Sequence, residues 1–252
     1  MFSAFIYLVV RYLIRYRINI VRKNREHTGL MFDINDYYRQ FAKTFVNIIK
    51  SFIYKPELIK AKVKYENLED IKASMNGGKK VMILASHYSN WEWVGVNLPS
   101  VLNGDCIAVY KPLSVSFLDK IIRKRRNRTG MKLAAMSEVV KYIHQYPSGS
   151  CFLFIADQSP AYHQKDVTVP FLGVSTSFFE GPSKLANRFN FEVFYQSVHE
   201  KGDTYTVKFH KISDTNNIIQ EYALLLEKDV KENPYLWLWT HKRWKKNSVS
   251  YQ

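Results

Sequence analysis

A chain of 252 residues with 46% apolar and 15% aromatic content is long enough to bury one full core, and its composition excludes a disordered, repetitive or collagen-like protein. Against 22 acidic residues stand 37 lysines and arginines, a formal charge of +15, so the partner is anionic: phosphates, an anionic lipid surface or an acidic protein. Cys106 and Cys151 lie in apolar runs without metal-ligand spacing and read as reduced, buried thiols of a cytosolic protein.

The chain begins with the apolar run MFSAFIYLVV, which arginines 11, 15 and 17 interrupt at about half the roughly 20 residues a membrane span requires. Its basic residues follow the apolar run instead of preceding it, which does not suit a signal peptide. From Tyr7 to Arg25, aromatic and aliphatic residues alternate with arginines, a pattern for a helix lying in an anionic membrane interface. A terminal helix packed on the domain has the same pattern. Residues 34–53 carry Tyr37, Phe41, Phe45, Ile48, Ile49 and Phe52 at helical spacing, with Asn35 or Asp36 as the expected N-cap. The stretch 54–70 is irregular, and ENLEDIKASMNGGKK predicts a short helix stopped by Gly77 and Gly78.

KVMILAS is a continuous apolar run without alternation, which predicts a strand covered on both faces. CIAVY at 106–110, CFLFIAD at 151–157 and FEVFYQSVH at 191–199 have similar character, with helices expected at 91–102, 115–128, 137–146 and 178–189 between them. TYTVKFH at 204–210 alternates and follows a Lys-Gly-Asp turn, so it is expected to form an antiparallel hairpin with 191–199. A last amphipathic helix is expected over 215–232, before NPYLWLWTHKRWKK. The pattern predicts an α/β domain with a mixed, mostly parallel sheet flanked by helices, over residues 54–252, preceded by a membrane-associating helical extension over 1–53.

In LASHYSNWEW, His87 stands where a buried strand ends, the usual place for chemistry in open α/β sheets. An imidazole can take a proton from a hydroxyl if a carboxylate fixes its tautomer. Glu92 follows five residues later, a spacing that turns through about 500° on one helix and so suits a loop histidine folding back over a helix capped by Ser89 or Asn90. On spacing alone the signal is weak, arises by chance in many proteins, and favours a satisfied capping histidine.

Among the remaining histidines (27, 144, 163, 199, 210 and 241) there is no metal-binding spacing, no cysteine cluster joins them, and neither a phosphate-cradling glycine loop nor a serine-hydrolase elbow is present. No catalytic metal is expected.

SHYSNWE resembles the His-x4-Asp/Glu motif of glycerolipid and lysophospholipid acyltransferases, and the order of segments is similar to that of the bacterial lipid A biosynthesis (lauroyl/myristoyl) branch. VYKPLSVSFLDKIIRKRRNRTGMKLAAM, FIADQSP, VPFLGVSTSFFEGPSKLA and the closing YLWLWTHKRWK resemble further blocks of that family, so the likeness runs from NIVRKN nearly to the end. The resemblance implies a glycerolipid acyltransferase-like fold and transfer of a fatty acyl group from a thioester of acyl carrier protein or coenzyme A to a hydroxyl or amine of a membrane lipid. The acceptor would be a lipid A precursor or a related lipid, and the thioester a co-substrate with no cofactor besides it. His87 would be the general base and Glu92 its orienting partner, with no acyl-enzyme.

By the same resemblance Arg126, ahead of Arg128, is the candidate cation for the oxyanion or substrate, although four of the six residues from Arg123 to Arg128 are arginines. Glu180 and Gly181 match the acceptor-binding Glu-Gly block, and Asp157 and Gln158 end a strand that would line the same crevice. The expected location is the cytoplasmic face of the bacterial inner membrane, peripheral or N-terminally anchored. The tryptophans of WLWTHKRW suit an interfacial belt or a core equally. The competing reading is a non-catalytic basic protein that binds lipid or nucleic acid; no nucleic-acid motif accompanies the basic runs, so no nucleic acid is expected.

Overall fold

The computed structural model describes residues 2–112, 116–246, 249 and 251. In chain order the elements are α1 (Phe2–Leu8), a π-helical turn (Val9–Leu13), α2 (Ile18–Thr28), α3 (Ile34–Ile53), α4 (Pro56–Lys60), β1 (Val63–Tyr65), α5 (Glu69–Asn76) and β2 (Val81–Ala85). Then come α6 (Trp91–Asn97), β3 (Cys106–Tyr110), α7 (Ser116–Asn127), β4 (Lys132–Ala135), α8 (Val139–Gln145), β5 (Cys151–Ile155), β6 (Asp166–Phe171) and β7 (Val174–Phe179). The chain closes with α9 (Gly181–Arg188), β8 (Glu192–Lys201), β9 (Thr204–Ile212) and α10 (Ile218–Glu232).

Seven strands form one sheet in the order β1-β9-β8-β2-β5-β3-β4. From β8 to β4 all neighbours are parallel; β9 runs antiparallel to β8, and β1 runs parallel to β9. This is the mixed, mostly parallel sheet flanked by helices that the apolar runs predict. All five residues of β2 are buried, as a central strand covered on both faces requires. Cys106 and Cys151 are register partners on β3 and β5, both buried and both free thiols.

Several predicted boundaries move, each for a local reason. The Tyr7–Arg25 segment is not one helix: Arg15 and Arg17 adopt positive φ, which separates the N-terminal turns from α2. The cap of α3 is Asp33, not Asn35 or Asp36; its side chain accepts from Asn35 N at 2.7 Å and Asp36 N at 2.9 Å. The three-residue β1 and the four-residue β4 are too short for a periodicity to register in sequence. The helices expected at 91–102 and 137–146 each include a 3-10 turn, at Leu98–Ser100 and Met136–Glu138. The expected start of the 115–128 helix, at residue 115, lies outside the described residues.

The segment expected as helix from 178 is strand through Phe179, because β6 and β7 pair as a separate antiparallel hairpin in which Val167 faces Phe178. Helix begins only at Gly181, whose missing Cβ leaves room for the Phe179 ring beside the turn.

The core is continuous from Ile18 in α2 to Trp244 and takes in Tyr37 and Tyr38 of α3. Trp237, Trp239 and Trp244 all belong to it, which decides the C-terminal tryptophans as core and not as an interfacial belt. By contrast α1 has no buried residue, and Phe2, Phe5 and Leu8 are each more than half exposed. No helix among the described residues is long and apolar enough to cross a membrane.

Candidate active site

Strand register builds the site. Ala85, the last residue of β2, pairs with Ile155, the last of β5, so the residues two steps beyond, His87 and Asp157, leave the sheet side by side at its carboxyl edge. His87 Nδ1 lies 2.7 Å from Asp157 Oδ1, while Asp157 Oδ2 accepts from the His87 backbone N at 3.0 Å and from Trp237 Nε1 at 2.9 Å. Burial alone would push the Asp157 carboxyl up, but the imidazole and these donors more than offset it and hold the group below the usual aspartate range. An ionised carboxylate only accepts, so Nδ1 carries the proton and the lone pair of Nε2 points away from Asp157. The Gln158 amide nitrogen stands 3.4 Å from that Nε2, and the Trp91 ring sits edge-on to the imidazole with centroids 5.2 Å apart.

Glu92 is not the carboxylate on His87. It lies in the first turn of α6 and takes both arms of Arg126 from α7, Nε to Oε1 at 2.9 Å and Nη2 to Oε2 at 2.8 Å. The pair is largely out of solvent, with side-chain exposures of 10% for Glu92 and 23% for Arg126. Burial pulls the Arg126 guanidinium down, and Glu92 more than offsets it, so the arginine titrates above its ordinary value. A planar guanidinium gripping both carboxylate oxygens ties α7 to α6.

The arginine run is thereby divided by task. Arg125 donates to the carbonyls of Ser51 and, at 2.6 Å, of Tyr54, closing the C-terminal end of α3; sequence reading did not single it out. Arg126 holds Glu92, and the exposed Arg128 lines the same small cleft as Glu92, Ser51 and Tyr54. Glu180 pairs with Lys184 one helical turn on at 2.7 Å, and among the described residues neither it nor Gly181 makes a hydrogen bond or ion pair with His87, Asp157 or Gln158. The predicted site residues therefore fall into three groups: His87 with Asp157 and Gln158, Glu92 with Arg126 beside Arg128, and Glu180 with Gly181 at the head of α9.

Beside Trp91, whose ring packs on His87, a small apolar groove runs along α3, lined by Phe41, Phe45, Ile48, Trp91, Trp237 and Leu238. Trp237 is a residue sequence reading left between core and interface. Nothing in its spacing signals its bond to Asp157, because the contact joins positions 80 residues apart.

The molecule is thus an α/β protein with a mixed sheet, a histidine–carboxylate pair at the end of a central strand and an apolar groove bordered by the tryptophan that packs on that histidine. The sequence model of the bacterial lipid A biosynthesis acyltransferases matches residues 33–246, and the chain belongs to that family. Its activity is acyl transfer in lipid biosynthesis. No curated protein matches the chain.

Proposed function

We propose that the enzyme passes a fatty acyl group from a thioester, on acyl carrier protein or coenzyme A, to a hydroxyl or amine of a lipid A precursor or related membrane lipid, with His87 as general base. The observation that carries this reading is the Nδ1–H of His87 bound to Asp157, which leaves the Nε2 lone pair facing outward beside the Gln158 amide. Nε2 takes the acceptor proton as the oxygen or nitrogen attacks the thioester carbonyl; the tetrahedral intermediate then expels the thiolate, which takes that proton back from the imidazolium. In the resting site the Gln158 amide donates to Nε2 at 3.4 Å, and on substrate binding it is released to serve as a donor for the oxyanion. The carboxylate that orients the base is Asp157, and Glu92 serves instead to hold Arg126. The acyl chain is assigned to the apolar groove along α3, bordered by the Trp91 ring that packs on His87. The thioester is a co-substrate, and no cofactor or metal enters the reaction.

The test is transfer of radiolabelled acyl groups from each thioester donor to total membrane lipids by wild type and by His87→Ala, both shown folded by thermal melting. A labelled lipid made by wild type alone supports the base and identifies the acceptor by its mobility. Equal transfer by both proteins sinks the base assignment.

The same reading places the enzyme on the cytoplasmic face of the inner membrane through α1 and the turn after it. There Phe2, Phe5, Leu8 and Leu13 are exposed beside Arg11 and Arg15. Replacing Phe2, Phe5 and Leu8 together by serine is expected to weaken binding to anionic vesicles by about 10–100-fold, at roughly 0.5–1 kcal/mol for each half-exposed side chain. Sedimentation with phosphatidylglycerol vesicles measures it, and unchanged binding would place the membrane contact elsewhere.

A further inference from the structure

The C-terminal segment around Trp237 and His241 lends Trp237 and Leu238 to the groove and supplies no acid, base or oxyanion donor, yet it is bonded to both sides of the His87–Asp157 pair. Leu238 N donates to His87 O at 3.1 Å and Ser89 N donates to Leu236 O at 2.8 Å, so residues 236–238 run beside the histidine loop as a short antiparallel bridge. On the Asp157 side, Trp237 Nε1 occupies Oδ2, and the backbone N of Ser159 donates to His241 Nε2 at 3.0 Å. Burial pushes the His241 imidazole down to about 4, so the ring is neutral at physiological pH and keeps the lone pair that Ser159 needs.

Further along, the segment is anchored to other elements. Asn24 of α2 donates to the carbonyls of Trp239 and His241, both at 2.8 Å. Arg243 donates to Ser177 O at 2.7 Å, and Trp244 Nε1 to Thr176 Oγ1 at 2.8 Å, both on β7. The segment is therefore a strap, fixed on α2 and β7, that meets the His87–Asp157 pair and the start of the loop after it through an indole, an imidazole and two backbone bonds.

We infer that Trp237 and His241 are positioning residues: Trp237 sets which oxygen of Asp157 is left for His87, and His241 sets the loop that carries Asp157 and Gln158. A carboxylate bound only by His87 could rotate and exchange its oxygens between the ring and the backbone N. With Oδ2 held by two donors from different segments, Oδ1 alone faces Nδ1. The plane of the imidazole, and with it the direction of the Nε2 lone pair, follows from that. His241 acts two residues along, where the same loop turns from Asp157 through Gln158 to Ser159.

This inference rests on His87 acting as base, and the test separates the two. Trp237→Phe keeps a ring in the core but removes the donor; His241→Phe removes the acceptor, and His241→Gln restores one. In the full-length enzyme, kcat is expected to fall by about 10–100-fold in both Phe variants, as for a reacting group displaced by about 1 Å. KM should stay within about twofold, and His241→Gln should recover most of the loss. The low-field proton resonance of His87 Nδ1–H, assigned by its absence in His87→Ala, should shift or broaden in both Phe variants and return in His241→Gln.

Wild-type kcat with an unmoved resonance in the folded Phe variants overturns the inference while leaving the base intact. If His87→Ala keeps turnover, the base reading falls, and the resonance alone then decides whether the strap positions the pair. Should Trp237→Phe fail to fold, the His241 pair of variants carries the decision.

Discussion

Asp157→Asn is expected to lower kcat by about 10²–10⁴-fold while the protein stays folded, because an amide in place of the carboxylate both removes the charge that stabilises the imidazolium and permits the wrong tautomer. In the structure the carboxylate accepts from three donors: His87 Nδ1, His87 N and Trp237 Nε1. An asparagine has one oxygen to offer those three and must turn its own NH₂ towards at least one of them. If the amide nitrogen faces Nδ1, the histidine must present a lone pair there and carry its proton on Nε2, where it cannot accept from the substrate. Thermal melting and pre-steady-state acyl transfer on the same preparation separate lost chemistry from lost fold. A folded Asp157→Asn enzyme with wild-type kcat would show that the contact with Asp157 does not serve the reaction.

That experiment turns on a partner the sequence names without pairing. The fold was largely legible because its central strands are continuous apolar runs: VMILA, CIAVY and CFLFI are β2, β3 and β5. What could not be read was their order in space. In the chain β3 follows β2, but in the sheet β5 lies between them, and this order alone brings position 157 beside position 87. Proximity in sequence instead offered Glu92, a carboxylate five residues from the histidine that the first turn of α6 carries to α7. Short strands and the β6–β7 hairpin were missed for a different reason: three or four residues hold no period, and VSTSFF reads as strand only when VTVPF is laid against it. The strap contacts lie further still from local pattern, since Trp237 and His241 reach residues about 80 positions away.

The division of the two carboxylates predicts that Glu92 and Arg126 answer to mutation as a unit. Glu92→Ala leaves a guanidinium that is mostly out of solvent without its bidentate partner, which is expected to cost about 3–5 kcal/mol of stability. Activity should fall with it, because α7 loses its tie to α6 and the segment carrying Trp91, which packs on His87, loses a neighbour. Arg126→Ala should destabilise similarly by leaving the carboxylate unpaired. In the double variant Glu92→Leu/Arg126→Met the unpaired charge is gone and the volume is roughly kept, so most of the stability should return. Activity is the discriminating readout. If Glu92 and Arg126 act only by joining the helices, kcat recovers together with the melting temperature. If stability returns while kcat stays low, one of the pair touches the substrate, with Arg126 the group whose positive charge a thioester oxyanion or a lipid phosphate would seek once Glu92 shares it.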